Sequence, residues 1–353
     1  MEYWSDLARS LSPYVPGEQP KIQNLIKLNT NENPYPPGPK VHEVLASVKA
    51  EQLRLYPDPE SSALCRAIAD RHGVRQDMVF VGNGSDEVLA LCFPAFFDVG
   101  RPVCIADITY SFYEVYAQLF SVPMHVLPLN GDFTLPVEEF ANSGAGVLLA
   151  NPNAPTSLAI SQQALQQIVQ NEQRIAIIDE AYAEFGNASA VPLLAGSKNL
   201  LVVKTFSKSH SLAGLRVGYA LGHPELIQAL NRVKNCFNSY PLDRLAQRCA
   251  LAAIEEEEYY TKRISQIVGT RERAAAELHA MGFNVLTSDA NFLFVSHTER
   301  TAAELMQALR SRGILVRYFN QPRINNYLRI SIGTDEEMQS LTGALKEILG
   351  QLG

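Results

Sequence analysis

Lys208 stands between two hydroxyls, Ser207 and Ser209, a few residues beyond the apolar run 200–203. A lysine amine attacks a carbonyl only where burial or neighbouring cations free it of its proton. Arg216, closing the following Ala213-Gly214-Leu215-Arg216, can help to make such a setting, and together with the hydroxyls it can grip a phosphate. An isolated Ser-Lys-Ser is an ordinary surface turn, so its neighbours decide its meaning. A second apolar run, 175–178 behind Arg174, ends in Asp179-Glu180-Ala181-Tyr182, and a third, 146–150, breaks in Asn151-Pro152-Asn153-Ala154-Pro155-Thr156-Ser157. Lys204 competes with Lys208 for the nucleophile's role, but it lies inside its strand without flanking hydroxyls.

Three strands therefore end in polar groups. In an open α/β sheet ligands sit outside the carboxyl ends of the strands, which brings these ends to one site. Further strands are expected at 78–82, 102–106, 124–128 and 218–222, and helices at 39–51, 61–71, 162–171, from near Ser85 and from Pro224. Their alternation predicts an α/β fold with a largely parallel sheet between layers of helices. At Gly82-Asn83-Gly84-Ser85-Asp86 a strand passes through glycines into a helix, whose free N–H groups suit a phosphate, although such a Gly-x-Gly alone is a common turn. Near Tyr240 the character changes. Residues 242–281 read as continuous amphipathic helix with the glutamates 255–258 on a solvated face, and strands at 292–295, 314–317 and 327–333 precede a closing helix at 335–349. The expected division is an arm over 1–27, with a helix at 4–11 and a proline-stiffened stretch at 12–17, a large domain over 28–240, and a small α+β domain over 241–353.

Asn-Pro-Asn-x-Pro-Thr, Asp-Glu-Ala-Tyr and Ser-Lys-x-x-x-Leu-Ala-Gly-Leu-Arg, in this order, resemble the fold-type I aminotransferases that use pyridoxal 5'-phosphate, and more closely the histidinol-phosphate aminotransferases. The likeness covers nearly the whole chain. It implies that Lys208 holds the cofactor covalently and carries a proton, that Asp179 keeps the ring nitrogen protonated, and that Tyr182 bonds the ring oxygen. It gives the phosphate to Gly84, Ser85, Asp86, Ser207 and Arg216, and the ring face to Tyr110, within an aromatic cluster over 110–116 that must in part be core. Tyr56 would reach the neighbouring subunit's phosphate in a homodimer, the plainer reading being a turn tyrosine packed on its own subunit. One position departs from the pattern: Ala154 replaces the asparagine before Pro-Thr and Ser157 the following glycine, leaving Asn153 as the nearest amide. Substrate contacts would come from Tyr14 on the arm, from Asn31 in Leu28-Asn29-Thr30-Asn31-Glu32, and from Arg317 and Arg329, with Arg323 close by. Two or three guanidinium groups suit a dianionic phosphate, unless Arg317 and Arg323 are surface charges.

The implied reaction exchanges an amino group between histidinol phosphate and 2-oxoglutarate, giving imidazole-acetol phosphate and glutamate in histidine biosynthesis. An aromatic-amino-acid aminotransferase and a decarboxylase of a phosphorylated amino acid are alternatives on the same scaffold. A cofactor-binding regulator without turnover is the alternative from another class, and it would be expected to carry an added DNA-binding module.

The 353 residues suffice for two domains, and 46% hydrophobic with 19% charged residues describes an ordinary globular chain. A net charge of −7 and the lack of a dense Lys/Arg block argue against nucleic acid as partner. The five cysteines, odd in number and without a Cys-x-x-Cys pair, are expected to be buried free thiols in a reducing compartment, with no metal site. Residues 1–17 do not read as a secretory leader and no stretch is apolar enough to span a membrane, so a cytoplasmic location is expected.

Overall fold

The computed structural model describes residues 3–14, 17–18, 20 and 25–351, so Val15 and Pro16 of the expected stiff arm lie outside the described residues. Its strands are β1 (Ile26–Leu28), β2 (Val79–Gly82), β3 (Val103–Ala106), β4 (Met124–Leu127), β5 (Gly146–Ala150), β6 (Ala176–Asp179), β7 (Leu200–Thr205), β8 (Gly218–Gly222), β9 (Phe283–Val285), β10 (Phe292–His297), β11 (Ile314–Tyr318) and β12 (Leu328–Ser331). They form a seven-stranded sheet in the order β2-β8-β7-β6-β5-β3-β4 and a five-stranded sheet in the order β1-β11-β12-β10-β9. In the larger sheet β8 runs antiparallel to both neighbours, while β7, β6, β5, β3 and β4 pair in parallel.

Parallel strands buried on both faces read as apolar runs, and the central ones do so up to the polar residues at their carboxyl ends. Val147, Leu149, Ile178, Leu200 and Val202 join one core; Leu148, Ile177, Leu201 and Val203 join the other. Helices Ser62–His72, Gln162–Val169 and Arg244–Ile254 cover the first face, and Gly84–Phe96, Phe112–Leu119 and Pro224–Phe237 the second. A third core lies between the five-stranded sheet and helices Glu257–Ala280, Ala302–Ser311 and Asp335–Gln351.

Two elements cross the expected domain boundaries. β1 pairs in parallel with β11, so residues 26–28 belong to the C-terminal sheet. Leu242, Ala246, Cys249 and Ala253, beyond residue 240, pack into the core of the seven-stranded sheet. The long helix expected over 242–281 is two helices that part at Glu255-Glu256. Carboxylates are unfavourable at a helix C-terminus and favourable in a first turn, so Glu255 caps the end of the first helix, Glu256 leaves the helical region, and Glu257 and Glu258 open the second. Likewise the helix from Pro39 ends at Ser47, where Val48 turns extended, and residues 50–54 form a separate 3₁₀ turn. The strand β9 was not expected from the sequence. Cys65, Cys92, Cys104 and Cys249 are buried free thiols, whereas Cys236 is exposed. No helix of the described residues is long and apolar enough to cross a membrane.

Candidate active site

The carboxyl ends of the parallel strands meet the five-stranded sheet around a cavity of about 420 Å³. Lys208 is the one lysine on its wall. Tyr14, Ser85, Asp86, Tyr110, Asp179, Tyr182, Ser207, Arg216, Arg317 and Arg329 share that wall, so eleven of the residues picked out in the sequence are brought together.

Register explains one end of the cavity. Gly218 is opposite Gly82 on one side and Thr205 on the other, which places the helix start at Gly84-Ser85, the loop Ser207-Lys208 and Arg216 side by side. Gly84 has φ +81, and a Cβ there would press on the Arg216 guanidinium. A Cβ on Gly218 would collide with the backbone of Gly84 and Ser85, so only glycine lets these turns approach. Arg216 Nη2 donates to Asp86 Oδ2 at 2.8 Å, and Tyr110 donates to Asp86 Oδ1 at 2.9 Å. One carboxylate thereby fixes both the cation and the aromatic ring. Open helix N–H groups, a guanidinium and the Ser207 hydroxyl form an anion cradle.

At the other end Asp179 closes β6, only 5% exposed. Tyr113 donates to its Oδ2 at 2.7 Å and the Ala181 N–H to its Oδ1 at 3.2 Å. Burial raises its carboxyl to about 6, against the pull of these two donors. None of the ion pairs among the described residues involves Asp179, so the carboxylate is left for a cationic partner inside the cavity.

The third wall is the segment after β1. Three successive carbonyl oxygens each accept from a different element: Asn29 from Arg329 Nη2 at 3.0 Å, Thr30 from Lys208 Nζ at 3.2 Å, and Asn31 from Asn291 Nδ2 at 3.0 Å. Arg329 on β12 lies opposite Arg317 on β11 in the antiparallel register, so both guanidinium groups reach the cavity from one face of the smaller sheet. Phe292 and Phe319 lie 5.3 and 5.6 Å from the Arg329 guanidinium, and burial pulls Arg329 down from the ordinary arginine value.

Four sequence candidates fall elsewhere. Asn153 does not line the cavity: its Nδ2 donates to the Ile108 carbonyl and to Thr156 Oγ1, each at 2.9 Å, and its Oδ1 accepts from Thr109. The neighbouring Ala154 lines the cavity instead, because the turn between β5 and Ser157 points one residue inward and the next outward. Asn31 is buried beside the cavity, not on its wall, and reaches it through Tyr182. Arg323 bonds Asp107 Oδ2 and the carbonyls of Leu129 and Asn130. Tyr56 is 78% exposed and stacks on Tyr240, away from this cavity. Lys204 is removed as a nucleophile by two buried ion pairs of 2.9 Å, to Glu180 and Glu184. Tyr113, the partner of Asp179, is signalled in the sequence only by the aromatic cluster at 110–116, and Ser331 and Asn291 carry no signal there.

The fold and this site define an aminotransferase. A model of the family described as aminotransferase class I and II matches residues 23–345, and the chain belongs to that family. It is 53% identical over 350 residues to the histidinol-phosphate aminotransferase of Acinetobacter baylyi, spanning 98% of this chain and 97% of that protein. It is 52% identical over 350 residues to histidinol-phosphate aminotransferase 1 of Bordetella parapertussis, spanning 98% of each. The crystal structure of histidinol-phosphate aminotransferase from Sinorhizobium meliloti in complex with pyridoxal-5'-phosphate superposes with a TM-score of 0.89 at 25% identity, covering 100% of this chain and 99% of that one. The architecture is fold type I. Pyridoxal phosphate is the cofactor of this family, and the residues present fit it: the glycine-lined anion cradle suits its phosphate, the unpaired buried Asp179 its ring nitrogen, and the Lys208 amine its aldehyde.

Proposed function

We propose that the chain transfers an amino group from L-histidinol phosphate to 2-oxoglutarate, with pyridoxal phosphate as cofactor. The observation that carries the substrate is the pair Arg317 and Arg329, set opposite each other on two strands of the smaller sheet, whereas the anion cradle is built on the larger one. A site with one cradle for the cofactor's phosphate and two further guanidinium groups from the other sheet is built for a second dianion.

When bound, the cofactor supplies an electron sink for the amino carbon. The chain's own groups do the rest. Lys208 Nζ, which donates to the Thr30 carbonyl, is the amine that would hold the cofactor and the base that would move the proton of the amino carbon. Asp179 would keep a proton on the ring nitrogen by offering it a buried carboxylate. Tyr182 would hold the ring oxygen, Ser207, Ser85 and Arg216 would anchor the phosphate, and Tyr110, tied to Asp86, would cover the ring. Tyr14, stacked on Phe112 at 4.3 Å, closes the substrate side.

The proposal extends to a cytoplasmic homodimer with large and small domains, in which Tyr56 completes the partner's phosphate site. The exposed Leu53, Leu55, Tyr56, Phe237 and Tyr240 support it, since so many exposed apolar side chains call for cover. The test is single-turnover spectroscopy of the cofactor-loaded protein mixed with L-histidinol phosphate and no keto acid. Loss of the cofactor's visible band far faster than with phenylalanine is the expected result. Loss with phenylalanine alone would move the function to aromatic amino acids, and a protein without a band would overturn the cofactor.

A further inference from the structure

We propose that Asn31 is a positioning residue for Tyr182, whose phenol it holds so that the phenol proton is directed into the cavity. The proposal rests on the amino-transfer reading above. Asn31 is 1% exposed and has no polar group left unpaired. Its N–H donates to Ser331 Oγ at 2.8 Å, its carbonyl accepts from Asn291 Nδ2 at 3.0 Å, and its Oδ1 accepts from Ser331 Oγ at 2.9 Å. With Oδ1 taken by the serine hydroxyl, the amide can only turn its NH₂ toward Tyr182, and Nδ2 donates to the phenol oxygen at 3.0 Å.

That bond has a consequence for the phenol. An oxygen that accepts from Asn31 keeps its own proton to donate, and among the described residues no acceptor for that proton is within hydrogen-bond distance. Phe292, edge-on at 5.0 Å, fixes the plane of the Tyr182 ring. The proton is left to the cavity, where it can meet the cofactor's ring oxygen, and Ala154 on the same wall has no polar group that could share the work. Asn31 sits at φ +56, a left-handed conformation that asparagine tolerates. Ser331 and Asn291 belong to the smaller sheet and its approach, so the orientation of Tyr182 is set by the sheet that also carries Arg329.

The position can be varied without forcing the backbone, because glycine and aspartate also accept this conformation. The measurement is the pH midpoint at which the visible absorption of the bound cofactor changes, in wild type, Asn31→Gly, Asn31→Asp, Tyr182→Phe and the double variant Asn31→Gly/Tyr182→Phe. A donated hydrogen bond stabilises the anionic ring oxygen, so losing it raises the midpoint. Tyr182→Phe should raise it by about 1 unit, Asn31→Asp by about as much, since a carboxylate would take the phenol proton for itself, and Asn31→Gly by about 0.5 unit. The double variant should match Tyr182→Phe. KM for histidinol phosphate should change less than about twofold in Asn31→Gly. An unmoved midpoint in both Asn31 variants, or a shift that persists in the Tyr182→Phe background, would overturn the proposal. So would a raised KM with an unmoved midpoint, which would mean that Asn31 meets the substrate itself. A wild-type protein without the band would overturn the functional reading as well, which separates the two failures.

Discussion

Tyr113 donates a hydrogen bond of 2.7 Å to Asp179, and both side chains are buried. Burial raises the Asp179 carboxyl to about 6 from 3.8, and the Tyr113 hydroxyl restrains the rise. An acid raised on folding adds stability below its unfolded value, and that stability is lost as pH climbs through the folded value. In the cofactor-free protein the charged carboxylate at pH 7.5 therefore costs about 3 kcal/mol relative to pH 3.5. Urea unfolding of cofactor-free Asp179→Asn should show a gain over wild type near pH 7.5 that vanishes toward pH 4, and Tyr113→Phe should deepen the wild-type loss. A difference independent of pH would contradict this account.

Lys204 of β7 and Lys208 of the loop that follows it should separate cleanly. Lys208→Ala should abolish the cofactor's visible band and cut amino transfer by about 10²–10⁴-fold or more, with little change in thermal midpoint. Lys204→Met breaks the buried pairs to Glu180 and Glu184 and should cost about 3–5 kcal/mol of stability while the band survives. A lost band in Lys204→Met protein that remains folded would reverse the assignment.

Among the arginines, Arg329→Gln and Arg317→Gln should each raise KM for histidinol phosphate by about 10–100-fold, the worth of a charged hydrogen bond. Arg323→Gln should leave KM within about twofold, because its guanidinium is committed to Asp107 and two carbonyls. Steady-state kinetics of the three variants decide the matter, and equal effects from all three would refute the distinction.

Acid should unfold this chain through two histidines, His210 buried and His72 half-buried. Burial pushes His72 and His210 down to about 3; Tyr219 shares a 2.9 Å hydrogen bond with His72, while His210 Nε2 has no partner. A base lowered on folding contributes stability above its unfolded value, here near 6.5, and that contribution falls with pH toward the folded value. Each histidine should remove about 1.4 kcal/mol per pH unit below 6.5. His210→Phe, between Phe206 and Tyr260, should flatten the stability curve between pH 6.5 and 4.5 in chemical denaturation; an unchanged slope would show that His210 is already protonated in the fold.

Much of this protein is local in its sequence. The apolar runs that become β5, β6 and β7, the glycines before Ser85, and the order of the three motifs announce the parallel sheet and the strand ends where Lys208, Asp179 and Arg216 meet, because side-chain periodicity and turn chemistry act over a few residues. The break at Glu255-Glu256 also lies within four glutamates in a row, a pattern that suits one solvated helical face as well as a helix end followed by a helix start.

Other features depend on partners far along the chain. Whether residue 153 or 154 faces the cavity turns on the Ile108 and Thr109 groups that capture the Asn153 amide. Whether Asn31 touches substrate or holds Tyr182 turns on Ser331, three hundred residues away. β1 leaves the arm to join β11, and Tyr113 is set apart from its aromatic neighbours only by the carboxylate it meets on β6. The sequence by itself determined which groups the site contains. The tertiary structure decided which of them face the cavity and which hold the others, because buried hydrogen bonds are satisfied by whatever the packing brings within 3 Å, and the local sequence does not encode that choice.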